Sequence, residues 1–172
     1  LPQRLLRIER ELRIGGEEGK KLGMKWGGDW GWDWFHLEWH PSLTLAQVQT
    51  KSRDPAWAER DRLILSNGHI CPIRYAAMAE AGYFPKAELL TLRQLGSRLQ
   101  GHPERIRLPG SETTSGPLGS GLAQAAGMAL ALKMDGLTNQ VYCAMSDGEH
   151  DAGQTWEAVM FAAKYKLNNL TG

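Results

Sequence analysis

Asp147 and Gly148 form the pair of residues in this sequence best suited to hold a ligand. They follow the apolar run Val141–Met145 almost directly, after Ser146. An apolar run that ends in a carboxylate and a glycine is typical of a buried parallel strand that delivers a side chain to the carboxyl edge of an α/β sheet. Asp147 is therefore a candidate metal ligand. Asp-Gly after a strand is also an ordinary turn, so this pair alone leaves both interpretations open.

Two histidines stand in polar loops that could take part in the same chemistry. His69 ends the string Ser66-Asn67-Gly68-His69 after the apolar run Leu63–Leu65, and His102 lies in Gly101-His102-Pro103-Glu104. Histidine titrates near neutral pH, so each ring could move a proton or contact an anion. Each could equally be a surface histidine without a function.

Residues 109–121 form a loop rich in glycine and hydroxyl side chains, and we expect a helix to open at about Leu118. Free N–H groups at the start of a helix attract phosphate. The spacing matches neither the P-loop nor the GxGxxG pattern, so the loop alone is weak evidence for phosphate binding. The helix that follows is rich in alanine, which is typical of a buried central helix or a subunit interface.

The elements that must position these loops alternate along the chain. The patterns predict short strands at Leu63–Leu65 and Val141–Met145. They also predict helices over residues 3–14, 70–83, 86–99, from about 118 to 132, and 154–167. Because one strand-loop-helix unit follows another, the sequence favours a parallel α/β sheet.

The composition excludes several classes of protein. The 172 residues include 20 basic and 19 acidic side chains, which argues against a nucleic-acid or membrane-surface binder. We find no apolar run long enough to cross a membrane. Only Cys71 and Cys143 occur, both in apolar contexts, so we expect a reducing compartment, the cytoplasm. The first residue is not Met, and we expect the chain to be a piece of something longer.

The N-terminal segment, residues 1–53, is atypical because it is rich in tryptophan. Five of the seven tryptophans fall between Trp26 and Trp39, with neither a helical nor a strand period. Such a cluster fits a stacking platform for sugars or bases, and it equally fits an irregular core or interface segment.

Taken together, the motifs resemble those of transketolase, a thiamine-diphosphate enzyme. They are, in the family's order, Asp61–His69, Leu92–Leu95 with Gly101–Glu104, Thr113–Gly121, and Ser146–Glu149 with Gly153–Ala158. The resemblance covers residues 54–171, about two thirds of the chain. It implies that residues 54–172 are the first part of the diphosphate-binding domain, a parallel sheet with helices on both faces, incomplete at the C-terminal end.

The resemblance also implies site residues. Asp147 would bind Mg²⁺, and Gly148 would present its amide to the diphosphate of the cofactor, which His69 would also contact. The backbone of Gly116, Pro117 and Leu118 would lie along the aminopyrimidine, with Leu118 helping to impose the bent conformation. Hard oxygen ligands and close backbone donors suit a magnesium diphosphate.

The remaining implied catalytic residues are histidines on the substrate side. His102 would face the donor sugar and the reacting carbon. His40, in His40-Pro41-Ser42-Leu43, stands where the family has a histidine followed by Pro-Gly-Gly, but the two glycines are missing here. We carry His40 over as a third catalytic histidine on this resemblance.

Three departures from the family pattern stand out. The asparagine that completes the metal site would lie past Gly172, because Asn168-Asn169 align with the end of a helix instead. Ser146 replaces the first glycine of Gly-Asp-Gly, and Ala152 stands where many transketolases have a glutamate that couples the two active sites. We interpret Glu149, His150 and Asp151 as a solvated polar turn.

The function implied is transfer of a two-carbon ketol unit between sugar phosphates. A second subunit with the pyrimidine-binding domain, or a homodimer partner, would complete the site, so residues 1–172 alone should be inactive. Two alternatives stay open. One is a thiamine-diphosphate enzyme of the deoxyxylulose-phosphate synthase type, and the other is a non-catalytic relic subunit.

Overall fold

Three short parallel strands form a sheet in the part of this protein that the structure describes. The computed structural model describes residues 54–172, in which the strands are β1 (Arg62–Leu65), β2 (Val141–Ala144) and β3 (Leu170–Thr171). They lie in the order β1-β2-β3, with Ile64 opposite Cys143 and Val141 opposite Leu170. The predicted parallel α/β sheet is confirmed. His40 and the tryptophan-rich segment lie outside the described residues.

Within residues 54–172, three α-helices and three 3-10 turns accompany the strands. The helices are α1 (Cys71–Glu80), α2 (Gly121–Met134) and α3 (Gly153–Lys164), and the 3-10 turns are Gly68–Ile70, Lys86–Thr91 and Asp147–Asp151. Helix α1 ends before Gly82, whose φ of 86° lies in the left-handed region that glycine adopts without strain. No helix in residues 54–172 is both long and apolar enough to cross a membrane.

Helix α2 packs against the sheet and forms the main core. Its buried face consists of small and aliphatic residues that meet the side chains of β1 and β2; the members of this cluster include Ile64, Val141, Cys143, Leu122, Ala125, Ala126, Ala129 and Leu132. Alanines let the helix approach the strands closely, because they add little volume between the two backbones. One face of this helix is therefore buried against the sheet, and the opposite face, which includes Gly127, is exposed.

A second cluster surrounds α1. Cys71, Tyr75 and Met78 on one side of the helix pack against residues of the loops that follow it, namely Phe84, Leu99 and Leu108. The Tyr75 hydroxyl donates to the Gln100 carbonyl at 2.8 Å, so this cluster also fixes the backbone just before His102.

The prediction of a helix over residues 86–99 is wrong. Only Lys86–Thr91 forms a 3-10 turn, and Arg93 and Gly96 then adopt positive φ values of 62° and 83°. The chain loops back so that the Arg93 amide donates to the Leu99 carbonyl at 2.9 Å. Leu99 is buried while Leu95 is exposed, so these leucines do not form one helical face.

One further expectation needs correction. Helix α2 begins at Gly121 and not near Leu118, because Gly119 has a φ of 80° that interrupts the helical path. Helix α3 buries Thr155 and Ala158, while its large apolar residues Trp156, Val159 and Met160 are exposed.

Candidate functional site

The loop after β1 presents His69 at the carboxyl edge of the sheet. The Ser66 amide donates to Ala144 of β2 at 2.9 Å, and the Gly68 amide then turns back to the Ser66 carbonyl at 2.9 Å. A single 3-10 turn, Gly68–Ile70, follows and leads directly into α1. This tight turn buries Gly68 and leaves His69 exposed.

Gly68 is the point where three distant motifs meet. A Cβ at this position would overlap the side chain of Ser115 and would come within 3.1 Å of the His102 ring. The Ser115 amide donates to the Pro103 carbonyl at 3.1 Å, which joins the glycine-rich loop to the His102 loop. The structure therefore brings the motifs of His69 and His102 and the glycine-rich loop together.

Arginines anchor the first part of the glycine-rich loop. Arg60 forms a bidentate pair with Glu112, one of whose hydrogen bonds, from Nη2 to Oε2, measures 2.9 Å. Arg74 donates to the carbonyls of Leu63 and Gly110 at 3.1 and 3.0 Å, and burial lowers the pKa of its guanidinium. These contacts fix the segment against β1.

The glycine-rich loop is also held at its other end, against α3. The side-chain NH₂ of Gln154 donates to the Leu118 carbonyl at 2.7 Å. Gly119 has no room for a side chain, because a Cβ there would lie 2.8 Å from the Cβ of Ala152. Leu118 itself remains 48% exposed, so its side chain is free to contact a ligand.

The loop after β2 carries Asp147 in an exposed 3-10 turn. One carboxylate oxygen, Oδ1, accepts a hydrogen bond from the Gly148 amide at 2.8 Å. Within residues 54–172 there is no group of three or more histidine, cysteine or acidic side chains that could hold a metal ion. Asp147 would therefore need ligands from another source, and the oxygens of a phosphate ligand are suitable ones.

Glu149 is the residue that sequence reasoning missed. It was predicted to lie in a solvated turn, and this is wrong because its side chain is completely buried, although His150 and Asp151 are exposed. Ser146 and Glu149 form a capping box, in which each side chain bonds the backbone of the other. The spacing Ser-x-x-Glu is the sequence signal that could have indicated this.

The Glu149 carboxylate also influences the nearby thiol on β2. Burial and the negative charge of Glu149 raise the pKa of Cys143 to about 12. Burial raises the pKa of Cys71 as well. Neither cysteine is therefore a nucleophile at neutral pH.

The site has the features that a phosphorylated cofactor requires. Gly116 and Gly148 face open space, since a Cβ at either position would meet nothing within 4 Å. Asn67 Oδ1 and Ser115 Oγ are buried near Gly68 without a hydrogen-bond partner among the described residues. Open backbone and unpaired polar atoms on adjoining loops fit a polar ligand.

The candidate site residues that fall within residues 54–172 therefore lie on loops around one end of the sheet. Those residues are His69, His102, Gly116, Pro117, Leu118, Asp147 and Gly148. All of them except Gly116 are exposed. A ligand at this edge has access to the histidine rings, to the open side of Gly116 and Gly148, and to the Asp147 carboxylate.

Comparisons with known proteins point to one family. The family model "Transketolase, thiamine diphosphate binding domain" matches residues 41–172. The chain is 50% identical over 117 residues to the 6-deoxy-6-sulfo-D-fructose transketolase subunit SqwG of Clostridium sp., covering 68% of this chain and 42% of the relative. It is also 50% identical over its whole length to the transketolase family protein y4mO of Sinorhizobium fredii, of which it covers 60%.

Solved structures agree with this assignment. The transketolase of Leishmania mexicana superposes with a TM-score of 0.66 at 40% identity, covering 72% of this chain and 20% of that one. The Campylobacter jejuni transketolase gives a TM-score of 0.69 at 35% identity, covering 73% and 21%. The chain therefore spans only part of the length of these relatives.

Proposed function

Since the chain belongs to the transketolase family, through that family's thiamine diphosphate binding domain, we propose that it is the cofactor-holding part of a ketol transferase. The complete enzyme would move a two-carbon ketol unit from a ketose phosphate to an aldose phosphate. The observation that carries this proposal is the meeting of the His69, His102 and glycine-rich motifs at Gly68, together with the open space beside Gly116 and Gly148.

Each loop would contribute one kind of contact. Asp147 would hold Mg²⁺ through its exposed carboxylate, while Gly148 would donate its amide to the diphosphate and His69 would contact the same group. Gly116, Pro117 and Leu118 would line the aminopyrimidine. When bound, the thiamine group supplies the carbanion chemistry that cleaves and forms the carbon–carbon bond.

The histidines would serve the sugar. His102, held next to Gly68, would donate to or accept from the hydroxyl groups of the donor sugar and move protons there. His40 would be a second histidine on the sugar side. A closed site would exclude water from the reacting carbon, and that closure would need the companion domain.

A second substrate class is favoured by one of the relatives. The SqwG protein is named as a subunit of a transketolase for 6-deoxy-6-sulfo-D-fructose, and it is 50% identical to this chain over the matched residues. We therefore propose testing ketoses that carry a sulfonate at C6 beside ketose phosphates. Both kinds of substrate carry a negative charge at the same end of the sugar, so the same protein groups would recognise either one.

The same proposal implies a partner subunit, a compartment and a metabolic pathway for the enzyme. A second subunit with a pyrimidine-binding domain would complete the site, and the assembly would be dimeric. The cytoplasm suits its two free cysteines, and the pentose phosphate pathway is the metabolic context that ketol transfer between sugar phosphates implies.

The test is calorimetric titration of thiamine diphosphate, with Mg²⁺, into the complete enzyme and into its Asp147→Ala variant. We expect loss of the metal-ligand carboxylate to weaken Mg²⁺-dependent binding by about tenfold or more. Asp151→Asn is the matched control, because Asp151 is an exposed carboxylate in the same 3-10 turn. Unchanged Mg²⁺-dependent affinity in Asp147→Ala would contradict the assignment.

Turnover measurements separate the alternatives. Product formed from ketose and aldose phosphates supports transketolase activity, whereas product that depends on pyruvate would indicate an enzyme of the deoxyxylulose-phosphate synthase type. A relic subunit would show partner binding without any saturable heat from the cofactor.

A further inference from the structure

Glu149 lies at the junction of three loops and is completely buried. Its Oε1 accepts hydrogen bonds from the Ser66 hydroxyl and from the Gly119 amide, the latter at 2.8 Å. Its Oε2 accepts from the amide and the hydroxyl of Ser146, at 2.8 and 3.2 Å. The carboxylate therefore receives four donors from three places in the chain.

The two backbone donors determine which side chain fits this position. An amide N–H can only donate, and one such group points at each oxygen of Glu149. Both side-chain oxygens are therefore needed as acceptors, and a glutamine amide, which has one oxygen and one NH₂ group, offers only one. In residues 54–172 no basic side chain forms an ion pair with Glu149, so its side-chain donors are the neutral groups of Ser66, Gly119 and Ser146.

A capping function alone does not account for these contacts. Only the bonds to Ser146 belong to the capping box of the Asp147–Asp151 turn. Ser66 is 83 residues away in sequence and Gly119 is 30 residues away. Bonds to such distant residues connect separate loops and do not simply cap one turn.

A second hydrogen bond extends the same network into α2. The Ser66 hydroxyl accepts from the Gly121 amide at 3.1 Å, and Gly121 packs so closely that a Cβ there would lie 2.7 Å from the Ser66 Cα. The first turn of α2 is thereby fixed to the same serine that donates to Glu149. The Thr155 hydroxyl also donates to the Glu149 carbonyl at 2.7 Å, which ties in α3.

We propose that Glu149 is a positioning residue that sets the spacing of the three cofactor-contact loops. Its partners directly adjoin the residues given roles above: Ser66 precedes the His69 turn, Gly119 follows Leu118, and Ser146 precedes Asp147. Glu149 has no exposed surface and acts through these neighbours rather than on the ligand. The inference rests on the proposed function, because it concerns the affinity of that site.

Glu149→Gln in the complete enzyme tests this inference, with Glu59→Gln, the same change at an exposed carboxylate, as the control. A glutamine NH₂ would face an amide N–H on one side, so we expect the Kd for thiamine diphosphate at saturating Mg²⁺ to rise about tenfold or more. The value of kcat at saturating cofactor should change by less than about threefold, because the bound cofactor restores the loop spacing.

A second variant keeps the test decisive if Glu149→Gln does not fold. Ser66→Ala removes one donor and leaves both amide donors in place, so we expect a smaller rise in Kd. If both variants fold, the fold-increase in Kd of the double variant should not exceed the product of the two single-variant increases, since the two residues belong to one hydrogen-bond network. Normal cofactor affinity in Ser66→Ala, with Glu149→Gln unfolded, would overturn the proposal.

Amide hydrogen exchange of the cofactor-free enzyme distinguishes this proposal from the proposed function. We expect the Gly119 and Ser146 amides to exchange faster in Glu149→Gln than in the wild type. Wild-type enzyme that binds no thiamine diphosphate would refute the proposed function and with it the affinity claim. Wild-type binding together with unchanged affinity and exchange in Glu149→Gln would refute only the positioning claim.

Discussion

Cys143 illustrates how the site environment controls a single side chain. It lies in the middle strand of the sheet, fully buried, and both burial and the Glu149 charge raise its pKa to about 12. Cys71 is buried too, and its thiol donates to the Gly101 carbonyl at 3.0 Å. The thiolate is the reactive form of cysteine, so both groups should be inert in the folded protein.

We therefore expect neither thiol to react with an alkylating reagent at mildly alkaline pH, whereas both should react in denaturant. The pKa of Cys143 is raised from 9.0 to about 12 in the folded protein, so the folded state holds this proton more tightly than the unfolded chain. The contribution of Cys143 to the free energy of unfolding is therefore complete below pH 9.0 and is lost as the pH rises through about 12. Peptide mapping after labelling assigns the sites. Rapid modification of Cys143 in folded protein would contradict the prediction.

At this scale the sequence indicated the exposed candidate residues but not the buried Glu149. Asp147, His69 and His102 follow strand ends or glycine motifs, and these local signals are visible without a structure. The role of Glu149 depends on donors 83 and 30 residues away. A charged residue between His150 and Asp147 looks solvated until those distant loops are placed around it.

Among the elements, β1, β2 and the three α-helices followed from pattern alone, whereas β3 was not predicted and the leucine-rich segment did not form the predicted helix. Its leucines recur at steps of three and four, as a helix requires. Leu89, Leu92 and Leu99 nevertheless reach the cluster around Tyr75 from a looped backbone. Tertiary packing can bury apolar side chains without a helix. It does so here, because the positive φ of Arg93 interrupts the helical path.

Helix α2 provides a matched pair of glycines that tests close packing. Gly121→Ala should destabilise the protein by about 1 to 3 kcal/mol, because the added Cβ would meet the backbone of Ser66. Gly127→Ala, on the exposed face of the same helix, should stabilise it by up to about 1 kcal/mol, since alanine is the better helix former and nothing lies within 4 Å of the new Cβ.

Thermal unfolding of the two variants beside the wild type measures this difference. The midpoint should fall for Gly121→Ala and rise or stay level for Gly127→Ala. Shifts of the same sign and size would show that helix propensity alone governs both positions, and that the contact between α2 and Ser66 is of no consequence for stability.

For the whole molecule, the described residues supply only part of a working site. Asp147 does not belong to a group of three or more histidine, cysteine or acidic side chains that could hold a metal ion within residues 54–172. Large apolar side chains of α3, among them Trp156 and Met160, stay exposed in this part of the chain. The chain covers 42% of the SqwG relative and 20% of the Leishmania transketolase. We expect additional polypeptide to complete the site.

We predict that a protein consisting of residues 1–172 alone transfers no ketol units at saturating thiamine diphosphate and Mg²⁺. Mg²⁺ is usually held by one or two carboxylates with substrate phosphates, and a single exposed aspartate leaves that ion weakly held. Adding the polypeptide that carries the pyrimidine-binding domain should restore turnover, measured as aldose phosphate released from a ketose phosphate. Steady transfer by the chain alone would show that residues 1–172 already hold and activate the cofactor.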